Sequence, residues 1–175
     1  GGMGYANVLV SMLFAGISGS SQADTAGIGK ILIPAMMEEG YTEDTAAGVT
    51  IASSTLGVII PPSIPMVVYS SVASCSISAL FMGGIIPGIL IGGGQMMVIF
   101  YLAKKYDLPR HPKLSFKEFC GVMFRSIPGL ITPILILGGV LGGFMTATES
   151  ACVACIYALF LGMGVFRTIK LKDMK

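Results

Sequence analysis

The stretch FAGISGSSQADTAGIG, residues 14–29, decides how this chain is read. It gathers serines, a glutamine and an aspartate between two apolar arms, YANVLVSMLFAGI (5–17) and TAGIGKILIPAMM (25–37). Each arm has 13 residues, about 20 Å as a helix, whereas the hydrocarbon core of a bilayer is about 30 Å thick. Neither arm crosses alone. Two short arms around a Gly/Ser tip read as a re-entrant helical hairpin over residues 1–44, its tip at about 18–24, entering and leaving the membrane on one side. The competing reading is one crossing over 5–24 followed by a surface helix.

Composition points to the same class. Hydrophobic residues make up 54% of the chain and charged residues 11%, with a mean hydropathy of +0.84; soluble domains carry about 25% charge. A chain this poor in charge cannot cover its exterior with hydrated groups, so the expected class is all-α integral membrane. The 24 glycines suit closely packed helices in lipid. The opening GGMGYANV shows no signal peptide and the ending RTIKLKDMK no anchor motif, which reads as a segment of a longer polypeptide. Cys75 and Cys120 are isolated. Cys152 and Cys155 form a C-x-x-C on an apolar helical pattern without a second pair, read as buried inert thiols. His111, the only histidine, sits in a basic loop and makes no zinc site.

Beyond the acidic loop EEGYTED (38–44), residues 45–76 read as a broken transmembrane helix, helical over 45–56 and 65–73. Between them lies GVIIPPSIP, whose prolines lack amide donors and restrain their predecessors. Unpaired backbone at membrane depth is tolerated only where protein buries it or it lines a wet cavity. Residues 77–103 read as a crossing helix with Gly84, Gly88 and Gly92 on one face for packing. Residues 104–126 read as a cytoplasmic basic loop and amphipathic arm helix, and 127–175 as two transmembrane helices (127–144 and 149–166) with a basic tail. Of 11 Lys and Arg residues, all but Lys30 lie at or after residue 104. The positive-inside rule makes that side cytoplasmic, so the hairpin enters from the cytoplasm and the MTATES turn faces outward.

The two polar clusters each fall at an expected break. Ser18, Gly19, Ser20, Ser21, Asp24 and Thr25 supply oxygens at the tip; Ser53, Ser54, Thr55, the carbonyls around Gly57, and Ser63 supply them at the broken helix. Such oxygens suit a small hard cation, and free amides at a helix start suit an anionic group. The bland alternatives are serines bonded to their own helix and Asp24 capping an arm that begins at Thr25. Glu149 reads as a cap or an ion-pair partner. GISG (16–19) matches the G-x-S-G of rhomboid-type intramembrane serine proteases, but that serine needs a histidine nearby and His111 lies in the basic loop. An aspartyl intramembrane protease needs two facing acids, and Asp24 is alone in the apolar segments. A channel or structural helix bundle explains the glycines but not both breaks.

NVLVSMLFAGISGSSQADTAGIG, PAMMEEGY, GVTIASSTLGVIIPPSIPMVVYS and GGFMTATESACVACIYALFLG together resemble the large membrane subunit of TRAP (tripartite ATP-independent periplasmic) transporters. The likeness covers nearly the whole chain apart from the basic loop; Ser150 replaces an alanine of the family's T-x-T-E-A-A stretch. The resemblance implies the ion-transporter superfamily and an elevator-type fold of inverted repeats, of which this chain shows one hairpin and one broken helix. It implies sodium as the coupling ion with no organic cofactor, held by Ser18, Gly19, Ser20, Asp24, Ser54, Thr55 and Gly57. Ser21, Thr25, Pro61, Pro62 and Ser63 would meet the substrate, an organic acid such as a C4-dicarboxylate or a sialic acid. Implied partners are a periplasmic substrate-binding protein, a small four-helix membrane subunit and the lipid bilayer, with no nucleic acid. The implied location is the bacterial or archaeal cytoplasmic inner membrane, multi-pass, and the implied activity is transport by symport, not enzymatic.

Overall fold

The computed structural model describes residues 2–105 and 116–166, without the side chains of 116–120, 122, 123 and 125. Residues 106–115 of the basic loop, with His111 and Leu114, and the tail from 167 therefore lie outside the described residues, as do the side chains of Cys120, Phe116, Phe119, Val122 and Met123. Every regular element among those described is helical: α1 (Gly2–Ser18), α2 (Ser21–Glu38), α3 (Glu43–Ser54), a 3-10 turn (Thr55–Val58), α4 (Ile64–Ala73), α5 (Ile77–Lys105), α6 (Phe116–Leu141) and α7 (Ala147–Phe160), closing on a π turn (Leu161–Val165). They form two compact units, residues 1–112 and 113–175.

In the first unit α1 packs on α2, α3 and α5. Its inward face carries Gly4, Asn7, Val8, Ser11, Ala15 and Gly16, mostly small residues three or four apart, which lets helix backbones approach closely. The shared core is Val8, Ala15, Met36, Tyr41, Ala46, Val49, Leu56 and Ile99. Both arms outrun their apolar patterns, at 17 and 18 residues, or about 26 and 27 Å. The length argument against a crossing is weaker by that much.

The second arm starts four residues earlier than expected. Ser20 is extended (φ −142°, ψ 120°) and its side chain accepts the Ala23 amide, a serine N-cap. Asp24 therefore does not cap an arm beginning at Thr25; it sits in the first turn of α2, where a negative charge meets the positive end of the helix dipole. At the far end Gly40 (φ +87°) turns the chain and Thr42 caps α3 by accepting the Thr45 amide. Between them the buried Tyr41 hydroxyl accepts from Gly4 N at 3.1 Å, satisfying one orphan amide of α1. Burial pushes the Tyr41 phenol above its ordinary range, so it stays neutral in that role.

The break after α3 is a 3-10 turn and then five residues without helical form, 59–63, in which the Pro61–Pro62 peptide is cis. Leu56 O accepts both Ile59 N (3.0 Å) and Ile60 N (2.8 Å). Ser63 then caps α4, accepting Met66 N at 3.4 Å, with Pro65 in the first turn where a missing donor costs nothing. Gly84 and Gly88 of the α5 stripe floor this break, and Gly92 lies against α1. A Cβ on Gly84 would strike the Ile59 carbonyl, one on Gly88 would strike Ile60, and one on Gly92 would strike Met12.

In the second unit α6 runs unbroken from Phe116 to Leu141 through Pro128 and Pro133, where the sequence suggested an arm helix and a separate crossing. Thr146 and Glu149 form a capping box at the start of α7. α7 packs on α6 with Gly139 against Ser150 Oγ and Tyr157 Oη donating to Pro128 O at 2.9 Å. Cys152 and Cys155 lie off the buried Ser150, Ala154, Leu161 stripe and are free and exposed, as is Cys75 in the first unit; the expectation of buried thiols is corrected. Ile77–Lys105 and Ala147–Val165 are long and apolar enough to cross a membrane, while α1, α4 and Ser126–Leu141 are shorter apolar helices.

Candidate functional site

The tip of the α1–α2 pair lies on the break between α3 and α4. Gly19 makes the turn at φ +64°, a left-handed conformation that favours glycine. A Cβ there would also come within 2.8 Å of Pro62 O and 3.2 Å of Ile64 N. The contact is a bond as well: Ile64 N donates to Gly19 O at 3.1 Å.

Ser18 and Asp24 close the tip from inside. Ser18 Oγ donates to Asp24 Oδ1 and accepts Ser20 N at 3.2 Å. Asp24 is fully buried, and its other oxygen, Oδ2, has no hydrogen-bond donor. That oxygen points at Gly57, where a Cβ would overlap it and would stand 3.1 Å from the Ser20 carbonyl carbon. The fold thus brings together Ser18, Gly19, Ser20, Asp24 and Gly57, with Pro62 and Ser63 against Gly19. A buried carboxylate with one oxygen unpartnered is costly unless a proton or a cation compensates it. Oxygen-rich surroundings of this kind match a hard cation's ligand preference.

Other candidates point elsewhere. Ser54 Oγ donates to Thr50 O at 2.7 Å and Thr55 Oγ1 to Ala52 O at 2.7 Å; both bond back to their own helix. Thr25 Oγ1 does the same with Ser21 O at 2.8 Å. Ser63 Oγ donates to Val58 O at 2.8 Å, which occupies a carbonyl of the break.

The two helix starts differ. At α4, Ile64 N is taken by Gly19, Pro65 has no N–H, Met66 N goes to Ser63 Oγ and Val67 N to Ser63 O. At α2, Ala23 N and Asp24 N are taken by Ser20, so Ser21 and Gln22 carry the amides that helix geometry leaves over. Gln22 itself was not singled out from sequence. It is exposed, and its Oε1 accepts from Ser20 Oγ at 3.1 Å and Ser21 Oγ at 3.3 Å; being the sole amide in the tip cluster was its signal. An apolar cleft of about 330 Å³ runs along α3 from Thr45 to Ala52, with Val8, Gln95 and Ile99 on its other walls, and none of the tip residues lines it.

GISG in this fold is the end of α1 and the turn, with the Ser18 proton committed to Asp24, which gives the protease reading no support. The chain is 41% identical to the sialic acid TRAP transporter permease protein SiaT of Haemophilus influenzae over 99% of its length. It is 40% identical over 99% to the C4-dicarboxylate TRAP transporter large permease protein DctM of Pseudomonas aeruginosa, and 38% identical over 95% to the 2,3-diketo-L-gulonate TRAP transporter large permease protein YiaN of Escherichia coli. It spans only 28%, 40% and 39% of those relatives' lengths. The family model for the DctM component of the tripartite ATP-independent periplasmic transporters matches residues 1–175, and the chain belongs to that family.

Proposed function

We propose that this chain is the first half-site of a sodium-coupled permease that imports an organic acid. The observation that carries the reading is the buried Asp24 with Oδ2 unpartnered, set where the tip meets the helix break. Sodium fits there as a cargo ion that compensates the carboxylate. Ser18, Gly19, Ser20, Asp24 and Gly57 form the cation side; Ser54 and Thr55 give their hydroxyl protons to their own helix, which leaves oxygen lone pairs for a cation. The substrate side is Ser21, Thr25, Pro61, Pro62 and Ser63, joined by Gln22, with the leftover α2 amides as the anion pole.

The names of the relatives support the substrate class: sialic acid, C4-dicarboxylates and 2,3-diketo-L-gulonate are all acids. Sodium at the tip fixes the turn against α4 and favours the anion beside it, so coupling arises from the difference in anion affinity between ion-bound and ion-free states. The α1–α2 pair is re-entrant in this reading, and the hydrogen bond from Ile64 N to Gly19 O that ties its tip to the break supports it. The elevator-type movement, the small membrane subunit, the periplasmic binding protein and the cytoplasmic inner membrane belong to the same proposal.

The test uses the complete transporter in proteoliposomes. Asp24→Asn keeps an oxygen for the Ser18 hydroxyl and removes the charge. The half-saturating sodium concentration for uptake is expected to rise at least tenfold, with protein yield unchanged. Uptake with wild-type sodium dependence would end the cation reading.

A further inference from the structure

Behind the tip, α1 and α3 share a run of polar side chains that neither the cation nor the substrate uses. Asn7, Ser11, Thr50 and Ser53 are each 0% exposed. Asn7 Nδ2 donates to Thr50 Oγ1 at 2.8 Å and lies 3.2 Å from Met36 Sδ on α2. Ser53 Oγ is 3.0 Å from Asn7 Oδ1, 3.0 Å from Thr50 O and 2.8 Å from Ser11 Oγ. Thr50 Oγ1 donates to Ala46 O at 2.8 Å.

Counting protons orders the chain. Each hydroxyl has one to give. The Thr50 proton goes to Ala46 O, so Thr50 Oγ1 is free to accept from Asn7. Asn7 Oδ1 and Thr50 O can only accept, so the Ser53 proton goes to them and Ser11 must be the donor to Ser53. The run reads Ser11, Ser53, Asn7, Thr50, Ala46 O, with every member satisfied.

Such a chain matches at one axial setting of the two helices. Around it the α1 and α3 faces carry Val8 and Ala15, and Ala46 and Val49, apolar groups whose contacts are not directional. A slip of one turn, about 5.4 Å, would strand several buried polar groups at once. The setting also reaches the tip. Ser18 is seven residues beyond Ser11 on α1, about 10 Å along the axis, and Gly57 is four residues beyond Ser53. These are the two residues that flank Asp24.

We propose that Asn7, with Ser11, Thr50 and Ser53, is a positioning set: it fixes the register of α1 on α3 and so holds Ser18 and Gly57 about Asp24. The role of that register in transport rests on the cation reading above; the register itself does not.

The test is made on the complete transporter with its native cysteines replaced. Ser11→Cys with Ser53→Cys places two thiols where the hydroxyls meet, and copper-phenanthroline oxidation reports the register without any sodium. With Asn7 and Thr50 intact the pair is expected to cross-link nearly completely. Adding Asn7→Leu and Thr50→Val, which keep apolar bulk, is expected to lower the yield severalfold. Equal yields would overturn the proposal. In the otherwise native background, Asn7→Leu/Thr50→Val is expected to raise half-saturating sodium at least fivefold with a melting temperature within a few degrees of wild type. Thr50→Ser, which keeps the hydroxyl, is expected to stay within twofold of wild type and serves should the double variant fail to fold, with Thr50→Val as its partner. A lower cross-linking yield with unchanged sodium dependence would overturn the positioning role, provided Asp24→Asn shifts that dependence. If Asp24→Asn shifts nothing, the cation reading fails and the positioning role falls with it, while the register is still decided by the cross-linking yields.

Discussion

Gly57→Ala is the sharpest perturbation the fold offers. The added methyl would overlap Asp24 Oδ2 and stand 3.1 Å from both Asp24 Cγ and the Ser20 carbonyl carbon. Ser20 belongs to the tip backbone, which is tied at Ser18 and at α2, so the side chain of Asp24 is what yields. Turning it away breaks the bond from Ser18 Oγ. A hydrogen bond to a charged group is worth about 1.5–3 kcal/mol, which converts to roughly a 10- to 150-fold loss of cation affinity. The same substitution gains about 0.5–1 kcal/mol in a helical turn, because alanine loses less backbone freedom than glycine. The net effect on the ion-free fold is a loss of about 0.5–2.5 kcal/mol, so a modest fall in melting temperature should accompany the fall in sodium binding. The assay is uptake by the reconstituted complete transporter across a sodium series, paired with melting temperature with and without sodium. Gly48→Ala is the control, since its Cβ meets nothing within 4 Å. Asp24→Ser supplies the second arm: it clears the space, so Gly57→Ala added to it should cost little more, a strongly non-additive pair. Wild-type sodium dependence in Gly57→Ala, or simple additivity with Asp24→Ser, would refute the reasoning.

Two further outcomes follow from the same geometry. Gly19→Ala should lower both the melting temperature and transport, because a left-handed turn costs a non-glycine residue about 1–2 kcal/mol before the overlap with Pro62 O is counted; Gly19→Ala with wild-type melting and uptake would show that the turn can relax. For topology, thiols introduced by Gly2→Cys and by Glu43→Cys should react only with permeant maleimide in intact cells, and the native, exposed Cys75 with an impermeant one; labelling of the Gly2 position from outside would make α1 a crossing helix and end the re-entrant reading.

The helical class was legible from composition because a charge-poor chain has few other options. The place of the break was legible too, since proline at 61, 62 and 65 cannot donate backbone bonds. The start of α2 was not. Ser20, Ser21 and Asp24 are all good N-cap residues, and sequence alone does not rank three caps within one turn; the left-handed Gly19 just before Ser20 decides it. At the tip, the residue types were readable but their directions were not. Ser18 and Thr55 look alike in sequence, yet one turns into the fold toward Asp24 and the other back to Ala52 O. The buried Asn7–Ser53 run was missed because Asn7, Ser11 and Thr50 sit singly among apolar neighbours and Ser53 reads as part of the cluster at the break. Its trace was the four-residue spacing of Asn7 and Ser11, facing Thr50 and Ser53 three apart. The continuity of α6 through Pro128 and Pro133 was hidden by the change from charged to apolar residues near 126.

The tip and the break are one structural element, and the donors of α4 show why. Pro65 removes one amide of the first turn, and Ser63 takes two more. Ile64 N is left, and its acceptor is not in α3 or α4 but is Gly19 O, in the turn between α1 and α2. If the turn lifts away, Ile64 N loses its partner, a cost of about 1–3 kcal/mol where water does not replace it. The Cβ-free face of Gly19 on Pro62 O loses its packing in the same movement. In the proposed reading, an ion that steadies Asp24 and Ser18 would also steady the start of α4, and its departure would release both. A few kcal/mol shared between the two is the size of coupling by which one ligand changes the affinity of a site for another, and the proposed route for it is one backbone hydrogen bond and one glycine.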